Sequence, residues 1–441
     1  MNFNIPHTAN KRVVIVGGGF GGLKLANRLS KSGYQVVLLD KNNYHQFLPL
    51  IYQVASAGLE PASISFPFRK IFQKRTNFFF RLGRAYGIIP EKNILQTSIG
   101  EITYDYLIMA MGTTSNFFGN KNFEEEAIPM KNVSEAMGLR NALLANYERS
   151  TVCGSEEERQ KLLNIVIVGG GATGVEIAGA LSEMKRFIIP KDYPEMDNSK
   201  LHIHLIEAGD RLLAGMSPES SINAKASLAK MGVNIHMNSK VVDYKDQKVI
   251  LESGEEIPTR SFIWVSGVSA ETIDNLDSSL IGRGRRIKVD AFNRVEGMEN
   301  VFCIGDQCLQ TTDKAFPHGH PQLAQVAIQQ GDLLAKNLIR ISKGEEMKPF
   351  TYKDLGSMAT IGRNKAVAEI GGMKMHGFLA WVVWLTVHLR SILGIRNRIL
   401  VLFNWVWNYI TYDQSFRLIV YARKAKEVRE QEEQEKEFFG K

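Results

Sequence analysis

One pattern stands twice in this chain: an apolar strand, a cluster of glycines and a helix-like run. It reads "VVIVGGGFGGLKLANRL" at residues 13–29 and "IVIVGGGATGVEIAGAL" at residues 165–181. Gly17, Gly19 and Gly22 keep the G-x-G-x-x-G spacing in the first copy, and Gly169, Gly171 and Gly174 keep it in the second. The first glycine of such a loop permits a tight turn, and the second lets backbone amides approach a pyrophosphate. The third lets helix and strand pack closely, so that the helix N-terminus faces the phosphates. Asp40 ends the strand after the first copy and Glu207 ends "LHIHLIE" after the second, where a carboxylate accepts ribose hydroxyls. A glycine loop alone is often a plain turn, but strand, loop, helix and terminal acid together predict a dinucleotide. Two sites predict two dinucleotides, and the economical pairing is a resident flavin with a visiting nicotinamide. Glu207 repels a 2′-phosphate and so favours NADH over NADPH, a bias that Arg211 weakens.

The 441 residues are too many for one ordinary core, and two or three domains are expected. After the first βαβ unit comes a loop-rich region, then a hairpin around "FFFRLGRAYGIIPEKNILQT", and "YDYLIMAMG" returns to the first sheet. The second unit spans about 163–207, its crossover lengthened by "MKRFIIPKDYPEMDNSK", and "SFIWVSG" closes it. "NVFCIGD" then resumes the first domain. The expected fold is α/β: two Rossmann-like dinucleotide-binding domains, the NADH domain inserted into the FAD domain, plus a C-terminal amphipathic helical membrane-anchoring region. The expected divisions are 1–115 and 271–345 for the FAD domain, 116–270 for the NADH domain, and 346–441 for a C-terminal hairpin and membrane-associating helices. "KEVREQEEQEKE" reads as an exposed helix or tail.

The net charge of +8 is unevenly placed: between His376 and Lys426 stand seven Lys/Arg and one acid, Asp413. Such a block favours an anionic surface, but its density of Trp, Leu, Ile and Val argues against nucleic acid. "FLAWVVWLTV" is interrupted by His388 and Arg390, and "ILVLFNWVWNYI" is broken by Asn404 and Asn408. Neither approaches the roughly 20 residues of a spanning helix. Trp381, Trp384, Trp405 and Trp407, flanked by Arg390, Arg396 and Arg398, describe helices lying in the bilayer interface. A dimer interface is the alternative use of that face, and both uses are compatible. Three cysteines cannot build a disulfide framework, no metal or iron–sulfur ligand set is visible, and the N-terminal stretch lacks the apolar core of a signal peptide.

Three further stretches narrow the reading: "NNYHQFLPLIYQVASAGL" (42–59), "AQVAIQQG" (324–331) and "FLAWVVWLTVHLRSILGIRNRILVLFNW" (378–405). With them the chain resembles, over about 11–425, the type II NADH:quinone oxidoreductases among the two-dinucleotide-binding-domain flavoproteins. The resemblance implies that Gly17, Gly19, Gly22, Asp40, Gly112, Asp306 and Gln325 hold FAD. Asp306, in "CIGDQ", would lie on the ribityl or pyrophosphate side. Gly169, Gly171, Gly174, Glu207 and Gly267 would hold NADH. The helix beginning near Gln322 would aim its N-terminus at the flavin pyrimidine ring, where dipole and amides stabilise negative charge. Gln325 and Gln329, four apart on that helix, would offer uncharged donors to a quinone carbonyl, with Ile328 beside them and Lys374 near the tunnel mouth. Glu176 stands near the start of the second glycine helix, where an acid complements the dipole. Its functional reading places it at the nicotinamide–flavin contact, orienting the hydride donor and influencing proton delivery. Glu176, Gln325 and Gln329 are therefore the expected catalytic residues.

The expected activity is that of a non-proton-pumping respiratory enzyme, peripheral on the cytoplasmic face of the cell inner membrane, with quinone and lipid surface as partners and a possible homodimer. A sulfide:quinone oxidoreductase, or another FAD-dependent pyridine nucleotide oxidoreductase, is the alternative within the scaffold. Sulfide chemistry relies on two cysteines flanking the flavin. Here Cys153 lies in a polar linker, and Cys303 and Cys308 bracket Asp306 with no later cysteine. A flavin-binding signalling module without turnover is the alternative of another class, and the intact loops and both strand-end acids argue against it.

Overall fold

The apolar strands that precede the two glycine loops sit at the centre of two parallel sheets. A computed structural model describes residues 4–420. In the first sheet the order is Val301–Cys303, Tyr106–Met109, Arg12–Val16, Gln35–Asp40, Phe78–Leu82, all parallel. In the second it is Ile128–Pro129, Ser261–Trp264, Asn164–Val168, His202–Ile206, Val233–His236, again all parallel. Position by position the sheets correspond: return strand, glycine strand, acid strand. Val14 lies between Val37 and Leu107, as Val166 lies between His204 and Phe262. The central strands are continuous apolar runs because helices and small sheets cover both faces. Ligands of such sheets bind beyond the strand carboxyl ends, beside the central strand where the strand order reverses.

The chain crosses between the sheets through an antiparallel ribbon, Thr113–Ser115 against Val268–Ala270. Gly112 (φ +74°) and Gly267 (φ +79°) turn into its two strands, in a backbone region that glycine enters freely. One expectation is corrected here. Phe78–Leu82 is not a hairpin arm but the parallel edge of the first sheet, paired with Gln35–Asp40. The antiparallel strands begin only at Ala85–Ile89 and continue through Ile94–Thr97 and Gly100–Thr103. A short apolar run reads the same in either setting.

Two close helix contacts set the site. The first glycine helix, Phe20–Leu29, meets the amide helix, Ala324–Ser342, backbone to backbone, since a Cβ on Gly331 would stand 2.5 Å from Gly21 O. The second glycine helix, Ala172–Phe187, lies against the strand Ser357–Gly362, where a Cβ on Gly179 would stand 1.8 Å from Ile361 O. That strand opens a three-stranded antiparallel sheet with Lys365–Ile370 and Met373–His376. Two apolar helices follow, Gly377–Ser391 and Ile395–Thr411, parted at Gly394 (φ +76°). Among the described residues no helix is long and apolar enough to cross a membrane. The apolar helices bury Ala380, Trp384 and Val401 but leave Phe378, Leu379, Ile399, Phe403 and Ile410 exposed. The charged stretch 426–437 lies outside the described residues.

Candidate functional site

The two glycine loops fold alike. Gly17 (φ +102°) and Gly169 (φ +118°) each donate their N–H at 2.8 Å to the acid strand, to Leu39 O and Ile206 O. The next amide in each loop donates to the strand-end acid: Gly18 N–H to Asp40 Oδ2 and Gly170 N–H to Glu207 Oε2, both at 2.6 Å. Cβ atoms on Gly22 and Gly174 would stand 1.9 and 1.8 Å from the carbonyls of Gly17 and Gly169, so those helices can approach their strands only without side chains. Among the described residues, their own chain neighbours apart, nothing lies within 4 Å of a Cβ built on Gly19 or Gly171. These two glycines face open cradles at helix N-termini that no side chain caps, leaving amide donors for phosphate oxygens. Burial raises the Asp40 carboxyl, opposed by the N–H groups of Asn42 and Gly18.

The first cradle fits FAD for a further reason. The amide helix is also uncapped by a side chain at its N-terminus, and it is held beside the first loop. Gln322 Nε2 donates to Asp306 O at 2.8 Å, and Gly305 N–H donates to Gln330 Oε1 at 2.7 Å, fixing the Asp306 turn to that helix. Burial raises the Asp306 carboxyl while the charges of Lys131 and Arg286 pull it down. In the second cradle, Arg211 donates to Met216 O at 3.1 Å and Ala214 O at 2.8 Å. Its guanidinium therefore braces its own loop rather than reaching toward Glu207.

Beyond the second loop the glycine helix walls a cavity of about 140 Å³. Glu176, Ala180 and Glu183 line one side, Tyr52 and Gln53 a second, Thr360 and Arg363 a third, and Trp381, Trp384, Trp405 and Tyr409 of the apolar helices the last. Glu176 accepts from Thr360 N–H at 3.4 Å, and burial pushes its carboxyl up to about 8. It faces the apolar helices across the cavity, and its hydrogen bond from Thr360 comes from the C-terminal sheet rather than from its own helix start. Glu183 accepts a hydrogen bond from Arg363 N–H, and burial raises it too, against the nearby charges of Arg363 and Lys365. The Arg363 side chain donates to Asn408 O at 2.7 Å and lies 3.6 Å over the Tyr412 ring and 4.4 Å over that of Tyr409.

The segment 51–63 and the second apolar helix are bonded to each other. Trp405 Nε1 donates to Gln53 Oε1 at 2.8 Å, and Gln53 Nε2 donates to the Tyr52 hydroxyl at 2.8 Å. Asn408 Nδ2 donates to Gly58 O at 3.2 Å, and Asn397 Nδ2 to Ala62 O at 3.1 Å. Trp384 is 1% exposed and stacks on His388 at 4.0 Å.

Other expected residues carry contacts of their own outside the cavity. Gln325 donates to Gly356 O at 3.0 Å and accepts from Leu355 N–H at 2.9 Å. Gln329 does the same with Lys353, at 2.8 and 3.1 Å. Both amides clamp the segment leading into the C-terminal sheet, and neither is in the cavity wall. Ile328 is part-exposed on the same helix. Lys374 stands on Met373–His376, 3.9 Å from Glu219, and does not line the cavity. Cys303 and Cys308 are buried in the first-domain core, and Cys308 Sγ accepts from Asn293 at 3.4 Å and Gln330 at 3.6 Å, away from the cavity. Tyr52, Gln53, Glu183, Thr360 and Arg363 line the cavity, and the sequence did not single them out individually. The visible signals were the stretch 42–59, which holds Tyr52 and Gln53, and Glu183, seven residues from Glu176 on the same helix.

Comparison with known proteins agrees with this layout. Residues 11–331 match the pyridine nucleotide-disulphide oxidoreductase family, and residues 355–411 match the NDH2 C-terminal domain. The type II NADH:quinone oxidoreductase NdhA of Mycobacterium tuberculosis is 34% identical over 411 residues, covering 89% of this chain and 86% of that protein. The type II NADH:quinone oxidoreductase of Haemophilus influenzae is 30% identical, covering 82% and 87%. The solved structure of NDH2 from Plasmodium falciparum in complex with NADH shares the fold at a TM-score of 0.85, with 20% identity over 93% of this chain and 100% of that one. With two alike cradles, an apolar helical appendage and relatives matched over more than four fifths of either chain, the chain belongs to the type II NADH:quinone oxidoreductase family.

Proposed function

We infer that this chain is an FAD-dependent, non-proton-pumping NADH:quinone oxidoreductase, with NADH held in the second glycine cradle and quinone entering between the second glycine helix and the apolar helices. When bound, FAD supplies the two-electron couple that takes hydride from NADH and gives it up to the quinone. Gly17, Gly19, Gly22, Asp40, Gly112 and Asp306 would hold it, and the uncapped start of the amide helix would meet its ring. Gly169, Gly171, Gly174, Glu207 and Gly267 would hold NADH, with Glu207 on the ribose hydroxyls. The observation that carries the quinone route is the cavity: one wall is the helix that starts at the NADH cradle, and the opposite wall is four aromatic side chains of the apolar helices.

Near neutral pH the Glu176 carboxyl holds its proton, because burial has raised it to about 8. It is therefore placed as a proton donor to a quinone oxygen. Gln325 and Gln329 act as positioning residues, holding residues 353–356 and through them the strand that carries Thr360. Ile328 and Lys374 lie outside this route. The exposed apolar side chains, with Arg390 and Arg396 beside them, would rest in the cytoplasmic face of the inner membrane with Trp407 at the interface, whereas Trp384 is buried and Trp381 and Trp405 turn to the cavity rather than serving as the interfacial anchors expected of them. A homodimer would cover part of the same face.

The test is the detergent-purified protein, assayed with NADH, NADPH or sulfide and a short-chain quinone, and floated with vesicles. NADH should bleach the bound flavin, quinone should restore it, and the protein should float. A flavin bleached by sulfide but not by NADH would overturn the reading. Light scattering in detergent reads the dimer.

A further inference from the structure

The overall reaction, NADH + H⁺ + quinone → NAD⁺ + quinol, draws one proton from water in each turnover. The hydride of NADH supplies the other hydrogen. Glu176 can give that proton only if something returns one to it, and its carboxyl lies in a wall closed by tryptophans. A second acid lines the same cavity. Glu183 is seven residues further along the glycine helix, a rise of about 10 Å and two turns, so both carboxyls project from one face. That gap is too wide for a direct hydrogen bond. Tyr52, 6% exposed, lies across the cavity within electrostatic reach of both acids. Its hydroxyl oxygen accepts from Gln53 Nε2, which leaves the phenolic hydrogen free to donate.

We propose that Glu183 and Tyr52 form a proton relay that reloads Glu176 from water at the cavity end bounded by Arg363, Tyr412 and Gln414. The inference rests on the quinone route given above. In each turnover the Glu176 O–H bond breaks as an O–H bond forms on the quinone. The Tyr52 hydroxyl passes its hydrogen to the Glu176 carboxylate and takes one from Glu183 through water. Glu183 is then reprotonated by solvent. The groups facing Glu183 suit this task. From the C-terminal sheet come the Arg363 N–H and the charges of Arg363 and Lys365, from residues 51–55 comes Tyr52, from the second apolar helix comes the Tyr409 ring, and from just beyond that helix comes the Tyr412 ring. Among the described residues no cation stands within 4 Å of the Glu183 carboxylate, so no ion pair locks it in the ionised form. The Arg363 guanidinium is instead turned onto the tyrosines.

The experiment compares Glu183→Gln, Tyr52→Phe, Glu183→Asp and Glu176→Gln in the flavin-loaded protein. Flavin bleaching by NADH is followed separately from reoxidation by quinone, and a pH dye records proton uptake in a single reoxidation. Glu183→Gln and Tyr52→Phe should bleach at the wild-type rate. Both should reoxidise about tenfold more slowly, with a larger solvent deuterium effect and proton uptake that lags. Glu183→Asp should recover most of the rate. If Glu183→Gln and Tyr52→Phe behave as wild type while Glu176→Gln is slow, the relay is wrong and the quinone route stands. If all three reoxidise normally, the quinone route is wrong and the relay falls with it. Should Glu183→Gln not fold, Tyr52→Phe decides by the same readouts.

Discussion

Replacing Glu176 by Gln gives the most direct measure of what the cavity does to an acid. The side chains are nearly isosteric, and Gln keeps the carbonyl oxygen that accepts from Thr360 N–H. Only the ability to ionise is lost. Burial raises the Glu176 carboxyl from 4.5 to about 8. Between those values the folded protein holds a proton that the unfolded chain has released. Stability therefore falls as pH rises through that window, by up to about 1.4 kcal/mol for each pH step of one. The ceiling above pH 8 is about 5 kcal/mol. The cavity admits water, so a realistic figure is about 2 kcal/mol. Glu176→Gln should match the wild type near pH 5 and exceed it by about 2 kcal/mol at pH 9, or about 2 °C in Tm for a chain of this length. Urea or thermal unfolding in detergent across pH 5 to 9 reads this directly. Parallel stability curves for the two proteins would refute the buried-acid argument. The same variant should reoxidise slowly with quinone although it is the more stable protein, as expected where an acid is kept for function.

Three other perturbations separate the parts of the site. Gly19→Val should yield protein depleted of flavin, whereas Gly171→Val should keep its flavin and raise KM for NADH several-fold; absorbance and steady-state kinetics tell them apart, and loss of flavin from both would undo the assignment of two different dinucleotides. Glu207→Gln should raise kcat/KM for NADPH relative to NADH by about tenfold, since the repelling charge goes while Arg211 stays tied to Met216 and Ala214. Trp405→Phe removes the hydrogen bond to Gln53 and should cost about 1 kcal/mol of stability. It should raise KM for quinone and leave flavin bleaching by NADH unchanged, because the bond ties the apolar helix to the cavity wall and not to the NADH cradle.

The glycine loops were legible because their demands are local. Turn, close approach and strand-end acid all fall within one βαβ unit, and each requires a particular residue at a fixed offset. The return strands were legible as well, since a strand buried on both faces is a plain apolar run. The edge strand Phe78–Leu82 was misplaced for that very reason: its run of phenylalanines does not say whether the neighbour is parallel or antiparallel. Gln325 and Gln329 show a different limit. Their spacing put both on one helix face, but the backbone that meets that face, residues 353–356, arrives from a loop whose course no local pattern announces.

By itself the sequence determined that two dinucleotides are handled, that the second domain interrupts the first, and that the C-terminal helices are apolar yet too short to span a bilayer. Those properties follow from backbone sterics, strand burial and helix length, which act over a few residues. Only the tertiary structure decided where Glu176 faces, that Glu183 and Tyr52 share its cavity, and that Trp405 reaches Gln53 from 352 positions away. A cavity is made by side chains converging from distant segments, and its effect on an acid comes from how far all of them together remove the carboxyl from bulk water. The second glycine loop is written in local sequence; the enclosure assembled beside it is what raises the carboxyl of an ordinary helix acid.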